Sequence, residues 1–294
     1  MVGGISVIVP TYRRGEELDG TLLPSLRSQG HPPLEIIIVD DTEDDSVRLV
    51  CEKWAPRFAE SSVPFRYTRN PGPRSTARAK NLGASHGQGD ILLFLDSDVE
   101  LSTDYIKEIA SAFSEHADAV GIQGLITNWA DTPLARRFLN KYGGLGSEKY
   151  RIASGLARDL LGATVPSANS CRLFEYPVIL DRTIECQWLS GSNLSVRKPV
   201  FDAIRFDREM EGYSLGEDIL LSRRLAALGK LYITPMARCS HSFSPSGGPQ
   251  RSRLGNAERT FFRRLLGLRG DVVYFNRSIL FPLLGYSEDP PPSP

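Results

Sequence analysis

Five consecutive apolar residues, Ile91 to Leu95, run directly into two carboxylates one residue apart, Asp96 and Asp98. A short apolar run of this kind reads as a buried strand. A core does not accept two acids, so both belong at the strand's carboxyl end, where an open α/β sheet keeps its ligand crevice. Side chains two apart on an extended chain point the same way, so the two acids can share one divalent cation. Taken alone, the pattern also fits a solvated acidic turn. A second run, Glu35-Ile-Ile-Ile-Val39, ends in another acid pair, Asp40-Asp41. A carboxylate at a strand end has no packing role, whereas a crevice that needs negative charge accounts for the repetition.

Strand and helix alternate around these runs. Ile5 to Val9 is a strand closed by Pro10, and Glu16 to Ser28 a helix closed by Gly30. Asp44 to Trp54 reads as helix, Phe65 to Thr68 as strand and Thr76 to His86 as helix. The alternation predicts an α/β fold with a mostly parallel sheet flanked by helices on both faces. Beyond Leu101 come a helix at Asp104 to Phe113, capped by Ser102 or Thr103, and a strand at Ala119 to Ile126. Thr127 to Glu185 lacks clean alternation and reads as a variable insertion. Gln187 to Arg197 is strand-like, Asp218 to Leu228 helical and Leu231 to Thr234 a strand. The Pro-rich end, Ser287 to Pro294, reads as disordered.

Formal net charge is zero over 294 residues, which argues against nucleic acid as the main partner, because phosphate contacts need a positive excess. The four cysteines (51, 171, 186 and 239) form no CxxC pair and read as reduced, cytosolic side chains. No signal peptide is visible, and no stretch approaches the ~20 apolar residues that span a bilayer. Between Arg251 and Arg269, six arginines interleave with Phe261, Phe262, Leu265, Leu266 and Leu268 against the single acid Glu258. That pattern fits a helix packing its apolar side on its own domain with its arginines in water, or a basic amphipathic helix at an anionic membrane face.

Several motifs follow one another in order. They are Pro10-Thr11-Tyr12-Arg13, Val39-Asp40-Asp41-Thr42, the Gly/Arg segment from Pro71-Gly72-Pro73-Arg74 through Arg78-Ala79-Lys80-Asn81, Asp96-Ser97-Asp98, Gly191-Ser192-Asn193, Gly216-Glu217-Asp218 and His241. The ordered set resembles glycosyltransferase family 2, inverting enzymes with the GT-A fold, over roughly Ile5 to His241. The resemblance implies transfer of a sugar from a nucleotide-diphosphate sugar, UDP- or dTDP-type, to a glycan or lipid-linked acceptor in cell-envelope polysaccharide assembly.

It also implies roles. Asp41 resembles the residue that accepts the imide N–H of the nucleobase, with Asp40 orienting the turn, Tyr12 offering a stacking ring, and Pro10, Thr11 and Arg13 forming the first loop. Arg74, Arg78 and Lys80 are three positive groups for the diphosphate, Arg78 standing at the family's motif position. Lys80 replaces a commoner arginine, keeping charge but not fork geometry. Asp98 matches the direct ligand of Mn²⁺ or Mg²⁺, Asp96 the contact to ribose or metal-bound water, and His241 a third metal contact. Asp218 matches the base that takes the acceptor's proton, Glu217 shapes the acceptor side, and Trp188, Gly191 and Asn193 resemble the acceptor wall.

The Gln-x-x-Arg-Trp motif of processive synthases is absent: Gln250-Arg251-Ser252-Arg253 has no following Trp. One or a few sugars per acceptor is therefore expected. The expected organisation is a domain over 1–245, split into a nucleotide-sugar half (1–101) and an acceptor half (102–245, with insertion 127–185), then a basic extension over 246–294. Two rivals remain. A sugar-1-phosphate nucleotidyltransferase would want a Gly-rich loop with lysine where Pro10 to Arg14 stands. A non-catalytic nucleotide-sugar-binding protein should have lost a base or a metal acid.

Overall fold

The computed structural model describes residues 3–128, 170–171, 180–242, 244, 260–261 and 263–265. The chain divides into two compact units. One comprises Met1–Ala130 and Ser167–Gly248, the other Asp131–Pro166 and Pro249–Pro294. In the second unit the described residues are helical, with Phe261 and Leu265 buried and Arg263 exposed. The rest of the basic 251–269 stretch, most of the 127–185 insertion and the Pro-rich end lie outside the described residues. No described helix is long and apolar enough to cross a membrane.

The first unit is built on one sheet. Its strands are β1 (Ile5–Thr11), β2 (Glu35–Asp40), β3 (Phe65–Arg69), β4 (Ile91–Phe94), β5 (Val99–Leu101), β6 (Ala119–Ile126), β7 (Ser170–Cys171), β8 (Ile184–Cys186), β9 (Leu194–Arg197) and β10 (Lys230–His241). The spatial order is β3-β2-β1-β4-β9-β6-β10-β8-β7, with β5 on β10. β1, β2, β3 and β4 are parallel neighbours, as the buried apolar runs require. β9 breaks the rule, lying between β4 and β6 antiparallel to both. Its first residues therefore sit beside the carboxyl ends of those strands, and the turn before it opens on the ligand crevice.

The helices are α1 (Gly15–Glu17), continuing through a π-helical turn (Leu18–Leu22) into α2 (Leu23–Arg27), then α3 (Ser46–Ala59), α4 (Thr76–His86), α5 (Tyr105–Glu115), α6 (Lys198–Ile204) and α7 (Glu217–Leu225). Ser75 caps α4 by accepting the Arg78 amide. At Gly83 an added Cβ would lie 2.4 Å from Ile8 Cγ2, so α4 rests directly on β1 through this glycine. The core is continuous from Val7, Val9 and Phe94 through Phe113, Ile122, Phe201 and Leu221, all buried.

Several expected boundaries move, mostly at prolines. β1 continues through Pro10 to Thr11. Carbonyls of Ile5 and Thr11 accept from the β2 side and Ile8 from the β4 side, so the Pro10 nitrogen faces β4, which has already ended at Phe94. The β4 ladder ends at that point, so a residue without an amide is tolerated there. α3 runs past Trp54 and Pro56 because Phe58 is buried and stacks on Phe65 with centroids 5.2 Å apart. The π-turn precedes Pro24, which has no amide to donate into a regular ladder. α5 has Asp104 at its N-cap, not Ser102 or Thr103. The Gln187 to Arg197 strand contracts to Leu194–Arg197, since Ser190–Asn193 form a turn. β10 is far longer than Leu231 to Thr234, bending at a register shift between Thr234 and Arg238.

Candidate active site

The register of β10 against β5 places His241 opposite Val99, next to Asp98. Asp96, Asp98 and His241 consequently bring one ligand atom each within 4.8 Å of one another. Asp98 is fully buried. Its Oδ1 lies 3.0 Å from His241 Nε2 and 2.9 Å from Arg14 Nη1, and its Oδ2 accepts the Ser244 amide at 2.8 Å. Burial alone would raise the Asp98 pKa. The His241 hydrogen bond and the His241 and Arg14 charges outweigh it and hold this carboxylate below the ordinary range. Arg14 also donates to the Ser244 carbonyl, and the Ser244 hydroxyl meets Glu17, so the segment after β10 is tied over Asp98. Asp96 is more open, with its side chain 30% exposed.

The second acid pair opens α7. Gly216, at φ 76, is the N-cap, and Glu217 and Asp218 form the first turn, where the helix dipole favours carboxylates. Asp218 Oδ2 accepts the Gly191 amide at 2.8 Å and its Oδ1 the Ile219 amide at 2.8 Å. Glu217 Oε1 receives Lys80 Nζ at 2.7 Å. Burial pushes Glu217 up to about 7, against the pull of Lys80 and with the help of the Asp218 charge. Asp218 is likewise raised by burial, with Lys80 and the Gly191 amide opposing. The turn before β9 joins the two acid pairs: Ser192 accepts the Asp96 amide at 3.0 Å while Gly191 donates to Asp218.

The half expected to read the nucleotide gathers at the ends of β1, β2 and the loop into α4. Asp41 is half-buried; its Oδ1 accepts Asn70 Nδ2 at 2.6 Å and its Oδ2 the Ser75 amide at 3.2 Å. Burial raises its pKa, with those hydrogen bonds opposing. Asp40 is fully buried and holds the turn, accepting the Thr42 amide and the Tyr67 hydroxyl. Tyr12 is half-buried, and the Arg74 guanidinium lies 3.6 Å from its ring centroid. Arg13 is paired with Glu43 at the surface. Arg78 Nε donates to the Arg208 carbonyl at 2.8 Å.

Five expected site residues sit elsewhere than expected. Lys80 is not on the diphosphate loop surface: it is 1% exposed and bound to Glu217 and the Gly191 carbonyl. Trp188 is a core residue, 7% exposed, and so presents little ring face to a sugar. Asn193 is fully buried and donates to the Gly124 carbonyl and Cys239 Sγ, which locks β9 to β6 and β10. Pro10 and Thr11 are buried at the end of β1 instead of forming an open loop.

Two residues were not anticipated. Arg14 follows the quoted Pro10–Arg13 motif and pairs with Asp98. Tyr213, 43% exposed, stands in a loop with Gly212, Ser214 and Gly216 at positive φ. Burial of its hydroxyl, then the charges of Asp96, Glu217 and Asp218, raise its pKa. The Gly-Tyr-Ser-Leu-Gly composition ahead of Glu217 was the available signal.

Two carboxylates and an imidazole within this span suit Mn²⁺ or Mg²⁺. Arg14, on Asp98 Oδ1, would compete with a metal for that oxygen. Among the described residues, the buried hydroxyls of Thr11 and Ser97 have no hydrogen-bond partner, a polar capacity left at the ends of β1 and β4.

Comparison with known proteins accords with this geometry. Residues 6–166, more than half of the chain, match the family model for glycosyl transferase family 2. Validoxylamine A glucosyltransferase of Streptomyces hygroscopicus subsp. limoneus is 28% identical over 232 residues, 76% of this chain and 48% of that protein. The chain thus spans about half the length of that relative. Poly(ribitol-phosphate) beta-N-acetylglucosaminyltransferase TarS of Staphylococcus aureus (strain Mu50 / ATCC 700699) is 32% identical over 113 residues, 38% of this chain and 19% of that one. Among solved structures, S. aureus TarS 1-349 in complex with UDP-GlcNAc aligns with TM-score 0.59 and 16% identity, over 95% of this chain and 75% of that one. Mannosyltransferase PcManGT from Pyrobaculum calidifontis, in complex with GDP-Man and Mn2+, gives TM-score 0.57 and 17% identity over 97% and 69%. At such identities the likeness shows the fold, which is the expected GT-A fold, with a mostly parallel sheet and some antiparallel strands. The chain belongs to glycosyl transferase family 2.

Proposed function

We propose that the protein is a metal-dependent inverting glycosyltransferase that moves a sugar from a UDP- or dTDP-type donor to a glycan or lipid-linked acceptor. The observation that carries the reading is the turn at Gly191-Ser192, which holds Asp218 on one side and the Asp96-Ser97-Asp98 backbone on the other. A base and a metal-binding acid pair are thereby fixed to one piece of backbone. A protein that only bound nucleotide sugars would have no use for a base in that place. A nucleotidyltransferase would want a cationic Gly-rich loop after β1, where Thr11 is instead buried in the strand.

In this reading Asp41 accepts the imide N–H of the base, and Tyr12 stacks on its ring once Arg74 moves aside. Arg74 and Arg78 then face the diphosphate. Asp98, with Asp96 and His241, would hold a divalent cation, which would supply Lewis-acid stabilisation of the charge on the departing nucleoside diphosphate. Asp218 takes the proton from the acceptor hydroxyl. The hydroxyl oxygen forms its bond to the anomeric carbon as the bond to the diphosphate oxygen breaks, the electron pair leaving with the diphosphate. The two amides on Asp218 fix its direction, and burial keeps it basic enough to act. Cell-envelope polysaccharide assembly, at the inner face of a membrane, is the setting that the family likeness favours.

The test is to screen UDP-, dTDP- and GDP-sugars for Mn²⁺-dependent release of nucleoside diphosphate, with Asp218→Asn and Asp98→Ala beside the wild type. Release with one nucleotide class, lost in both variants, is expected. Tight UDP binding without release or transfer would favour the binding protein.

A further inference from the structure

Lys80 is a fully sequestered cation with no part in the donor chemistry above. It lies on the inner side of α4, two residues beyond Arg78, and 1% of it is exposed. A buried ammonium is costly unless it is paired and its protons are used. Its Nζ donates to the Gly191 carbonyl at 2.9 Å and to Glu217 Oε1 at 2.7 Å. The same Gly191 donates its amide to Asp218 Oδ2 at 2.8 Å. Both backbone groups of this glycine are therefore committed, one to the cation and one to the second acid. Glu217 and Asp218 are consecutive in the first turn of α7, so the contacts close a ring of Lys80, Gly191, Asp218 and Glu217. The ring fits tightly around Gly191. An added Cβ would lie 3.0 Å from Lys80 Nζ, 3.0 Å from Glu217 Oε1 and 3.2 Å from Asp218 Cβ.

We propose that Lys80 is a positioning residue for the acceptor-activating base, holding the Gly191 amide against Asp218 and setting a fixed positive charge beside the Glu217–Asp218 pair. The proposal rests on Asp218 being the base. Its physical logic is charge balance. Asp218 and Glu217 face one another's charge from α7, Asp96 from the end of β4, and the Tyr213 hydroxyl from the loop before Gly216. Lys80 is the positive group bonded to the acid pair, while Arg14 acts on the Tyr213 hydroxyl. Without Lys80, adjacent buried carboxylates retain a proton, as like charges in one site do, and a protonated base accepts nothing. Lys80 also runs from the helix that carries Arg78 to the turn that carries the base, so donor helix and base share one anchor.

The experiment follows the carboxyl carbon-13 resonances of Asp218 and Glu217 against pH in wild type, Lys80→Arg, Lys80→Met, Glu217→Gln and the double variant Lys80→Met/Glu217→Gln. It needs neither donor nor acceptor, so its failure is distinct from that of the base assignment, which falls if Asp218→Asn leaves donor hydrolysis unchanged. In Lys80→Met the pair should titrate at least about one pH unit higher than in wild type. The acid limb of Mn²⁺-dependent donor hydrolysis should move with it, while UDP affinity stays within about twofold. Lys80→Arg should restore most of both. If Lys80→Met does not fold, the double variant, which buries no lone charge, is compared with Glu217→Gln, and Asp218 should titrate about one unit higher in the double variant. Unmoved titrations in either comparison overturn the proposal. So does a Lys80→Met variant that loses UDP affinity with its acid limb in place, which would return Lys80 to the diphosphate.

Discussion

Asp98 and Glu217 are both buried carboxylates beside a cation, and they are pushed in opposite directions. Asp98 meets His241, Arg14 and the Ser244 amide, and stays below the ordinary range. Glu217 meets Lys80 alone while Asp218 and Asp96 crowd it with like charge, and it rises to about 7. Burial acts the same way on both; His241 and Arg14 on Asp98, against Lys80 and the like charges of Asp218 and Asp96 on Glu217, decide the sign. The difference matches two tasks. A group that holds a cation should be ionised at every working pH. The proposed base, Asp218, stands next to Glu217 and is itself raised by burial, as a group that collects a proton requires.

The comparison can be broken at either end. Replacing the base has the largest expected effect: Asp218→Asn should lower Mn²⁺-dependent donor hydrolysis by about 10²–10⁴-fold. Wild-type hydrolysis should change with pH around 7, where Glu217 ionises next to the base, and fall toward acid as Asp218, itself raised by burial, takes up a proton. A flat profile from pH 5 to 8 would remove that pair from catalysis. On the other side, Arg14→Gln should tighten Mn²⁺ binding in the absence of nucleotide by about three- to tenfold, since the guanidinium no longer competes for Asp98 Oδ1. Weaker binding in calorimetry would mean that Arg14 belongs to the donor site itself. Gly191→Ala crowds the Lys80 ring and should cost about 1–3 kcal/mol of stability in denaturant titration. Arg13→Ala should have the smallest effect. Its pair with Glu43 is exposed, so Tm should not move measurably and UDP affinity should change by less than about twofold.

Much of this was legible in the sequence. α4 and β6 have the bounds that pattern alone assigns, Thr76–His86 and Ala119–Ile126. The strand-end position of Asp96 and Asp98 was readable from the cost of burying unpaired acids, although Asp98 is in fact fully buried, with His241, Arg14 and the Ser244 amide on its oxygens. Local pattern failed where a distant strand decides. Pro10 stops nothing because β4 is already short there, and β10 runs past Pro235 because β5 waits to pair with its second half. That extension is what delivers His241. At Lys80 helical phase, not charge, decides where the side chain goes. Ala77, Lys80 and Ala84 fall at three- and four-residue intervals on one buried side of α4. Arg78, off that stripe, is half-buried. The phase was readable from the chain; the partner on α7, 137 residues on, was not.

The separation of tasks between the two acid pairs is tested most directly by calorimetric titration of UDP, with and without Mn²⁺, into wild type, Asp98→Ala and Asp218→Asn. Wild type and Asp218→Asn should bind UDP with the same affinity and the same gain from Mn²⁺, while Asp98→Ala loses that gain. Loss of the Mn²⁺ gain in Asp218→Asn, or its survival in Asp98→Ala, would contradict the account.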